Sequence, residues 1–318
     1  EPAEEAGAYR RMARPLFLTL WTFKPHANRW TLIRMRLEPK QVVARRDAQR
    51  PTAADFAQRV MELKEKTRGK PFTIVVERPF VIIGDEPPKT VRERGGGTVR
   101  WTTSRLRKDF FDKDPDEIID VWAFKDERSY RQHAWEYFRD RPDTPYGYYS
   151  AANHALIMNV GPGYGTLVHE IVHPYMRANF PECPPWLNEG LASLYERPSE
   201  ADGHLIGLIN WRLPALQRAI QAQALPSFQE LMAMSEDKFY GDDVDHYAQS
   251  RYLCLYLQEK GLLRDYVAQF LRDRRSDPTG YRTLAKVLGG SEMESFQRRW
   301  ERYVAGLDRS GARAPKPE

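Results

Sequence analysis

Two histidines four residues apart, His169 and His173, with Glu170 directly after the first, constrain this chain more than any other feature of its sequence. On a helix, positions i and i+4 lie on one face a turn apart, so both imidazoles can reach one point in space. Leu167, Val168, Ile171 and Val172 make that helix apolar and predict its burial. Imidazoles and a carboxylate inside such a helix are costly unless a metal ion or hydrogen bonds satisfy them. The pattern suits zinc, with Glu170 turned toward the open coordination position, where it can accept a proton from bound water. Zinc in hydrolytic sites typically takes three protein ligands and keeps a fourth position for water. Glu189, sixteen residues after His173, is the candidate third ligand, because that gap holds one helix end, a loop and a returning helix.

His169-Glu170-Ile171-Val172-His173 followed by Trp186-Leu187-Asn188-Glu189-Gly190-Leu191-Ala192-Ser193 resembles the gluzincin metallopeptidases, in which HExxH is completed by a glutamate on a following helix. The second stretch is similar to the third-ligand helix of the aminopeptidase N family, and the compact layout is closer to the smaller MA-like peptidases. The resemblance covers Tyr146 to Gly261. It implies a zincin-like α+β fold: a small mixed-sheet N-terminal lobe, a mostly helical C-terminal lobe, and Zn²⁺ in the cleft between them. His169, His173 and Glu189 would be the ligands, Glu170 the catalytic base, and a polypeptide the substrate.

Three departures from the family bear on specificity. The gap between His173 and Glu189 is shorter than in the aminopeptidases. The Gly-x-Met-Glu-Asn motif that holds a free amino terminus is absent. Ser193 stands where thermolysin-like members carry an aspartate one turn past the glutamate ligand. The expected activity is therefore endopeptidase action on extended or unfolded polypeptide, with Ala155 to Val160 as the sheet edge along which substrate pairs. Gluzincins also place a tyrosine or histidine donor on a helix well downstream. Tyr247-Ala248-Gln249-Ser250 resembles the Tyr-Ala-x-Ser segment of MA-like peptidases, which makes Tyr247, 58 residues beyond Glu189, the candidate oxyanion donor and His246 its reserve. The rival reading is a zinc-stabilised interaction module, an inactive peptidase homologue; the intact Glu170 argues against it, since a purely structural site needs no base.

Composition narrows the remaining choices. Of the 318 residues 41% are hydrophobic and 12% aromatic, enough for a substantial core in one large domain or two packed subdomains. No apolar run approaches the ~18 residues that a membrane-spanning helix needs. The net charge is +5, and its densest stretch, Arg92 to Lys108, carries six positive residues against one glutamate beside Gly95-Gly96-Gly97. No Gly-Lys-Ser/Thr follows and no strand leads into the glycines, so a solvated basic helix face is expected rather than a phosphate loop. No nucleic-acid-binding motif is present. The two cysteines, Cys183 and Cys254, are expected as unpaired thiols, and without a CxxC pair they build no metal site. His26, His133, His154 and His204 lie in polar or loop contexts and are not expected as ligands. The chain starts at Glu1 without methionine; the expectation is a leader removed or omitted, with a secreted or periplasmic setting favoured.

Along the chain, residues 1–70 read as an N-terminal extension with strands at Pro15 to Phe23 and Arg29 to Leu37 and a Thr52-capped helix to Thr67. Residues 71–160 read as an α/β lobe: strands at Phe72 to Val76, Phe80 to Ile83 and Ile118 to Phe124, helices at Thr98 to Phe111 and Glu127 to Phe138, and an edge hairpin from Tyr146 to Val160. Residues 161–308 form the zinc-binding and helical lobe, with a kink or helix end expected at Pro174. Beyond Glu196 the expectation is almost entirely helical: Leu208 to Ala222, Ser227 to Met234, Asp243 to Lys260, Leu263 to Arg272, Tyr281 to Leu288 and Ser291 to Leu307, with capping boxes at Ser227/Glu230 and Ser291/Glu294. Residues 309–318 are a polar tail.

Overall fold

The structure, a computed structural model, describes residues 17–24, 29–36, 50–241 and 246–308. The chain divides into two compact units, residues 1–50 and 51–318. In the first, β1 (Phe17–Lys24) and β2 (Arg29–Arg36) pair antiparallel with Phe17 opposite Arg36, as the alternation predicts.

The second unit is built on a five-stranded mixed sheet. Its strands are β3 (Thr73–Glu77), β4 (Phe80–Gly84), β5 (Ile119–Phe124), β6 (Gly147–Ser150) and β7 (Ala155–Asn159), in the order β3-β4-β5-β7-β6. The three central strands run parallel and the two outer ones antiparallel. The central strands read as unbroken apolar runs because both sheet faces are covered. Connections are made by α1 (Ala53–Lys66), α2 (Gly97–Asp109) and α3 (Glu127–Phe138). Val81, Ile83, Trp122, Phe124 and Ile157 point to the face covered by α1 and α3. Ile82, Val121, Leu156 and Met158 point to the other, which α2 shares with the histidine-bearing helix.

Thr52 caps α1 as expected, and Asp55 closes the cap into a capping box. Helix α1 packs into the sheet's own core, and its Arg59 donates to Asp120 on β5 at 3.1 Å, so it belongs with residues 51 onward and not with the strands before it. The basic stretch forms a largely exposed helix face, as expected: a π-helical turn, Val91–Gly96, runs directly into α2, whose cations also find partners. Arg100 pairs with Glu77, Arg105 with Glu200 and Arg107 with Asp114, while Lys108 donates to the Gly203 carbonyl.

The edge hairpin forms, with β6 and β7 joined through Ala151–Asn153. Its inner strand, however, is the Ala155 segment. β7 is paired on both sides and buried throughout, so the sheet edge is β6 and not Ala155 to Val160. A continuous apolar run pairs in the sheet interior because only there are both its faces covered.

The remaining helices are α4 (Gly165–Asn179), α5 (Pro185–Leu194), α6 (Leu213–Gln221), α7 (Phe228–Met232), α8 (Glu236–Gly241), α9 (His246–Glu259), α10 (Leu263–Asp273), α11 (Tyr281–Val287) and α12 (Met293–Ala305). The all-helical expectation beyond Glu196 fails at a hairpin of β8 (Pro198–Ala201) and β9 (His204–Gly207). Its two-residue turn is Asp202-Gly203, both at positive φ, which is a recognised hairpin signal. The box at Ser227/Glu230 forms, but the one at Ser291/Glu294 does not. Glu292 is the N-cap there, and Ser291 Oγ instead donates back to the Leu288 carbonyl at 2.8 Å. Phe296, Trp300 and Val304 are buried along one face of α12, and Trp300 Nε1 donates to the Tyr252 carbonyl on α9. The start expected for α9, Asp243, lies outside the described residues. Among the described residues no helix is long and apolar enough to cross a membrane.

Candidate metal centre

Helix α4 carries both histidines and buries Leu167, Val168, Ile171 and Val172 against the sheet. The helix does not end at Pro174: it runs five residues further, to Asn179. An interior proline costs about 3 kcal/mol or more. Pro174, Tyr175 and Met176 are all buried, and that apolar contact holds the last turns helical. The chain turns at Phe180, and Pro184 and Pro185 start α5 with their backbone already preset for a helix N-terminus.

Two glycines set how closely these helices approach. A Cβ on Gly165, at the start of α4, would lie 2.0 Å from the Glu196 carbonyl oxygen. One on Gly190 in α5 would meet the Ser250 carbonyl at 3.0 Å and Cys254 Sγ at 3.1 Å on α9. The second contact explains why Gly follows Glu189: α5 and α9 touch backbone to backbone there.

The result brings His169, His173 and Glu189 together, with one potential ligand atom from each lying within 4.8 Å of the others. Glu189 Oε2 is 3.5 Å from His169 Nε2 and 3.9 Å from His173 Nε2. Tetrahedral ligands about 2.0–2.1 Å from a metal stand roughly 3.3 Å apart, so small side-chain shifts suffice to close around an ion. Oε2 of Glu189 is buried and has no hydrogen-bond partner. An orphaned carboxylate oxygen aimed between two imidazole nitrogens fits a cation, and this buried group could hold a metal ion. Burial, then the neighbouring His173, pushes His169 well below its usual pKa and keeps its imidazole neutral, the form that ligates metals. Burial likewise raises the carboxyl of Glu189.

The remaining nitrogens of both rings face acceptors. Nδ1 of His173 donates to Asn188 Oδ1 at 3.0 Å, which leaves its Nε2 lone pair for the ion. Nδ1 of His169 lies 3.6 Å from Glu196 Oε1. Glu196 is in turn held by Arg212, through Nε at 3.0 Å and Nη2 at 2.7 Å, and by Asn210 Nδ2 at 2.8 Å. Ser193 offers no carboxylate, and Glu196, two residues past the end of α5, supplies one that the spacing of Glu189 and Ser193 does not indicate. Arg212 comes from the loop after β9, which no local pattern places here.

Glu170 is partly exposed beside the cluster, and loss of water around it pushes its carboxyl up to about 7, with Glu189 and Glu196 adding to the effect and His173 opposing it. Tyr247 is close enough to these carboxylates to feel them: its phenol is raised by burial and then by Glu189, with Glu170 and Glu196 contributing. Its ring packs 5.3 Å from the Arg212 guanidinium. His246 is not brought to the reacting groups; it is buried, with Nδ1 donating to the Phe239 carbonyl at 3.1 Å. A residue with no counterpart in the sequence reading, Tyr240, donates its hydroxyl to Glu189 Oε1 at 2.8 Å.

Elsewhere, His133 bonds Glu136, His154 pairs with Glu117 and His204 with Asp109, and among the described residues no other cluster has metal-binding geometry. His26 lies outside the described residues. Cys183 and Cys254 are both free thiols. No family model matches this chain, and a comparison with curated proteins finds no match.

Proposed function

We propose that this protein is a zinc metallopeptidase of the gluzincin type, acting as an endopeptidase on extended or unfolded polypeptide. The observation that carries this reading is the buried, unpartnered Oε2 of Glu189 facing the Nε2 atoms of His169 and His173. Imidazole and carboxylate together suit zinc among the common divalent ions. Three protein ligands are the number of a catalytic rather than a closed structural site. A zinc ion there supplies Lewis-acid polarisation of a carbonyl and lowers the pKa of water.

The chain's own residues supply the proton chemistry. Glu170, with a carboxyl raised to about 7, is suited to take the proton of the attacking water and return it to the departing amine. Tyr247 is the candidate donor to the oxygen that gains charge as the carbonyl is attacked, a contribution typically worth a factor of about 100 to 1,000. β6 is the edge strand next to β7, so an extended chain would pair along Gly147–Ser150. With no amino-terminus clamp in the sequence, internal bonds are the expected targets.

The test is metal analysis of the purified protein together with cleavage of an unbiased peptide library, with and without chelator. About one zinc per chain and chelator-sensitive internal cleavage are expected. Sequential release of single N-terminal residues would defeat the endopeptidase assignment, and zinc binding with no cleavage of any peptide would favour the interaction module.

A further inference from the structure

We propose that Tyr240 is a positioning residue for the metal centre: its phenol holds Glu189 so that a single carboxylate oxygen, Oε2, is presented to the ion. The inference rests on the reading of Glu189 as a ligand. The two oxygens of that carboxylate have different surroundings. Oε1 accepts from the Tyr240 hydroxyl at 2.8 Å, while Oε2 faces both imidazoles and has no hydrogen bond. A carboxylate can bind a cation through one oxygen or through both. With Oε1 occupied by the phenol, two-oxygen binding is opposed and a coordination position stays open for water or substrate. The same hydrogen bond offsets part of the cost of burying the carboxylate, whose side chain is only 8% exposed.

The phenol is braced from behind. Tyr240 follows Phe239 on α8, and the buried Phe239 ring lies 5.3 Å from Tyr240, 5.6 Å from His246 and 5.5 Å from Tyr247. The Phe239 carbonyl accepts from His246 Nδ1, which ties α8 to the first residue of α9. His246, first read as a reserve donor, thus anchors the segment that aims Tyr240. Tyr240 itself is 49% exposed, so core packing does not account for its position. Its directed contact is with the ligand, and hydrogen-bonding partners of ligands typically contribute 10- to 100-fold in metal affinity.

The experiment compares zinc affinity of the full chain by competition with a chromophoric chelator, and reads the carboxylate binding mode by X-ray absorption. Tyr240→Phe keeps the ring and removes the hydroxyl. It is expected to weaken zinc binding about ten-fold or more and to shift Glu189 toward two-oxygen binding, with the metal-free protein still folded. Tyr247→Phe, measured beside it, is expected to keep wild-type zinc affinity. Wild-type affinity and one-oxygen binding in Tyr240→Phe, alongside lost affinity in Glu189→Ala, would overturn the positioning role and leave the metal centre standing. Wild-type affinity in Glu189→Ala would instead remove Glu189 from the ligand set, and the proposal with it.

Discussion

Replacing Glu196 with alanine removes three hydrogen bonds in one step, those from Arg212 Nε, Arg212 Nη2 and Asn210 Nδ2, together with the carboxylate that faces His169 Nδ1 at 3.6 Å. The Arg212 side chain is 15% exposed, so the substitution takes the Glu196 carboxylate away from a largely buried cation. Breaking such a pair from one side costs about 3–5 kcal/mol, taken nearer the lower end here because some water reaches the guanidinium. At roughly 2–4 °C per kcal/mol for a domain of this size class, the metal-free protein should unfold about 6–12 °C lower. Zinc affinity should fall as well, by about 10- to 100-fold, because the carboxylate 3.6 Å from His169 Nδ1 is lost. The two effects separate in the double variant Glu196→Leu, Arg212→Met. Replacing both members with apolar side chains removes the guanidinium together with the carboxylate and is expected to recover most of the lost stability. It cannot restore a carboxylate beside His169 Nδ1, so zinc affinity should stay low. Thermal unfolding of the metal-free proteins and chelator competition measure the two quantities independently. If the double variant recovers zinc affinity along with stability, Glu196 acts through the fold alone and the argument for its role on His169 is wrong.

Other substitutions test the site at separate points. Glu170→Gln should retain zinc and lose nearly all peptide cleavage, and wild-type turnover in that variant would exclude Glu170 as the base. Tyr247→Phe should lower kcat and kcat/KM by similar factors, about 100-fold or more, with zinc content unchanged; a loss confined to KM would mark it as a substrate-binding residue instead. Gly190→Ala places a methyl against the Ser250 carbonyl and Cys254 Sγ, both about 3 Å away, and overpacking of this kind costs about 1–3 kcal/mol in urea unfolding. Burial pushes the Cys254 thiol up to about 12 and raises that of Cys183 as well. Cys254 should not react with a thiol reagent at pH 8 in the native protein and should react after denaturation; a fast-reacting native Cys254 would contradict the packing of α5 on α9.

What the sequence determined by itself was the part of the protein where chemistry and period coincide. His169, Glu170 and His173 needed only helical spacing to share a face, and Asn188-Glu189 needed only a returning helix. Strands β4, β5 and β7 were legible as apolar runs, and α1 and α7 through their capping boxes. Tertiary structure decided whatever depended on partners remote in the chain. Whether Ala155–Asn159 is edge or interior depends on β6 and β5 flanking it, which its own residues do not encode. The helix continues through Pro174 because the apolar contacts of the last turns outweigh the lost hydrogen bond, a balance visible only once those contacts exist. The hairpin at Asp202-Gly203 had a local signal, but it lay within a region whose surroundings read as helical. The groups around the metal ligands show the limit most directly. Asn188 was adjacent to a named ligand, whereas Tyr240 and Arg212 reach the site from α8 and from the loop after β9. A ligand announces itself through the spacing its metal demands; the groups that aim it need only a hydrogen bond, which a side chain from anywhere in the fold can supply.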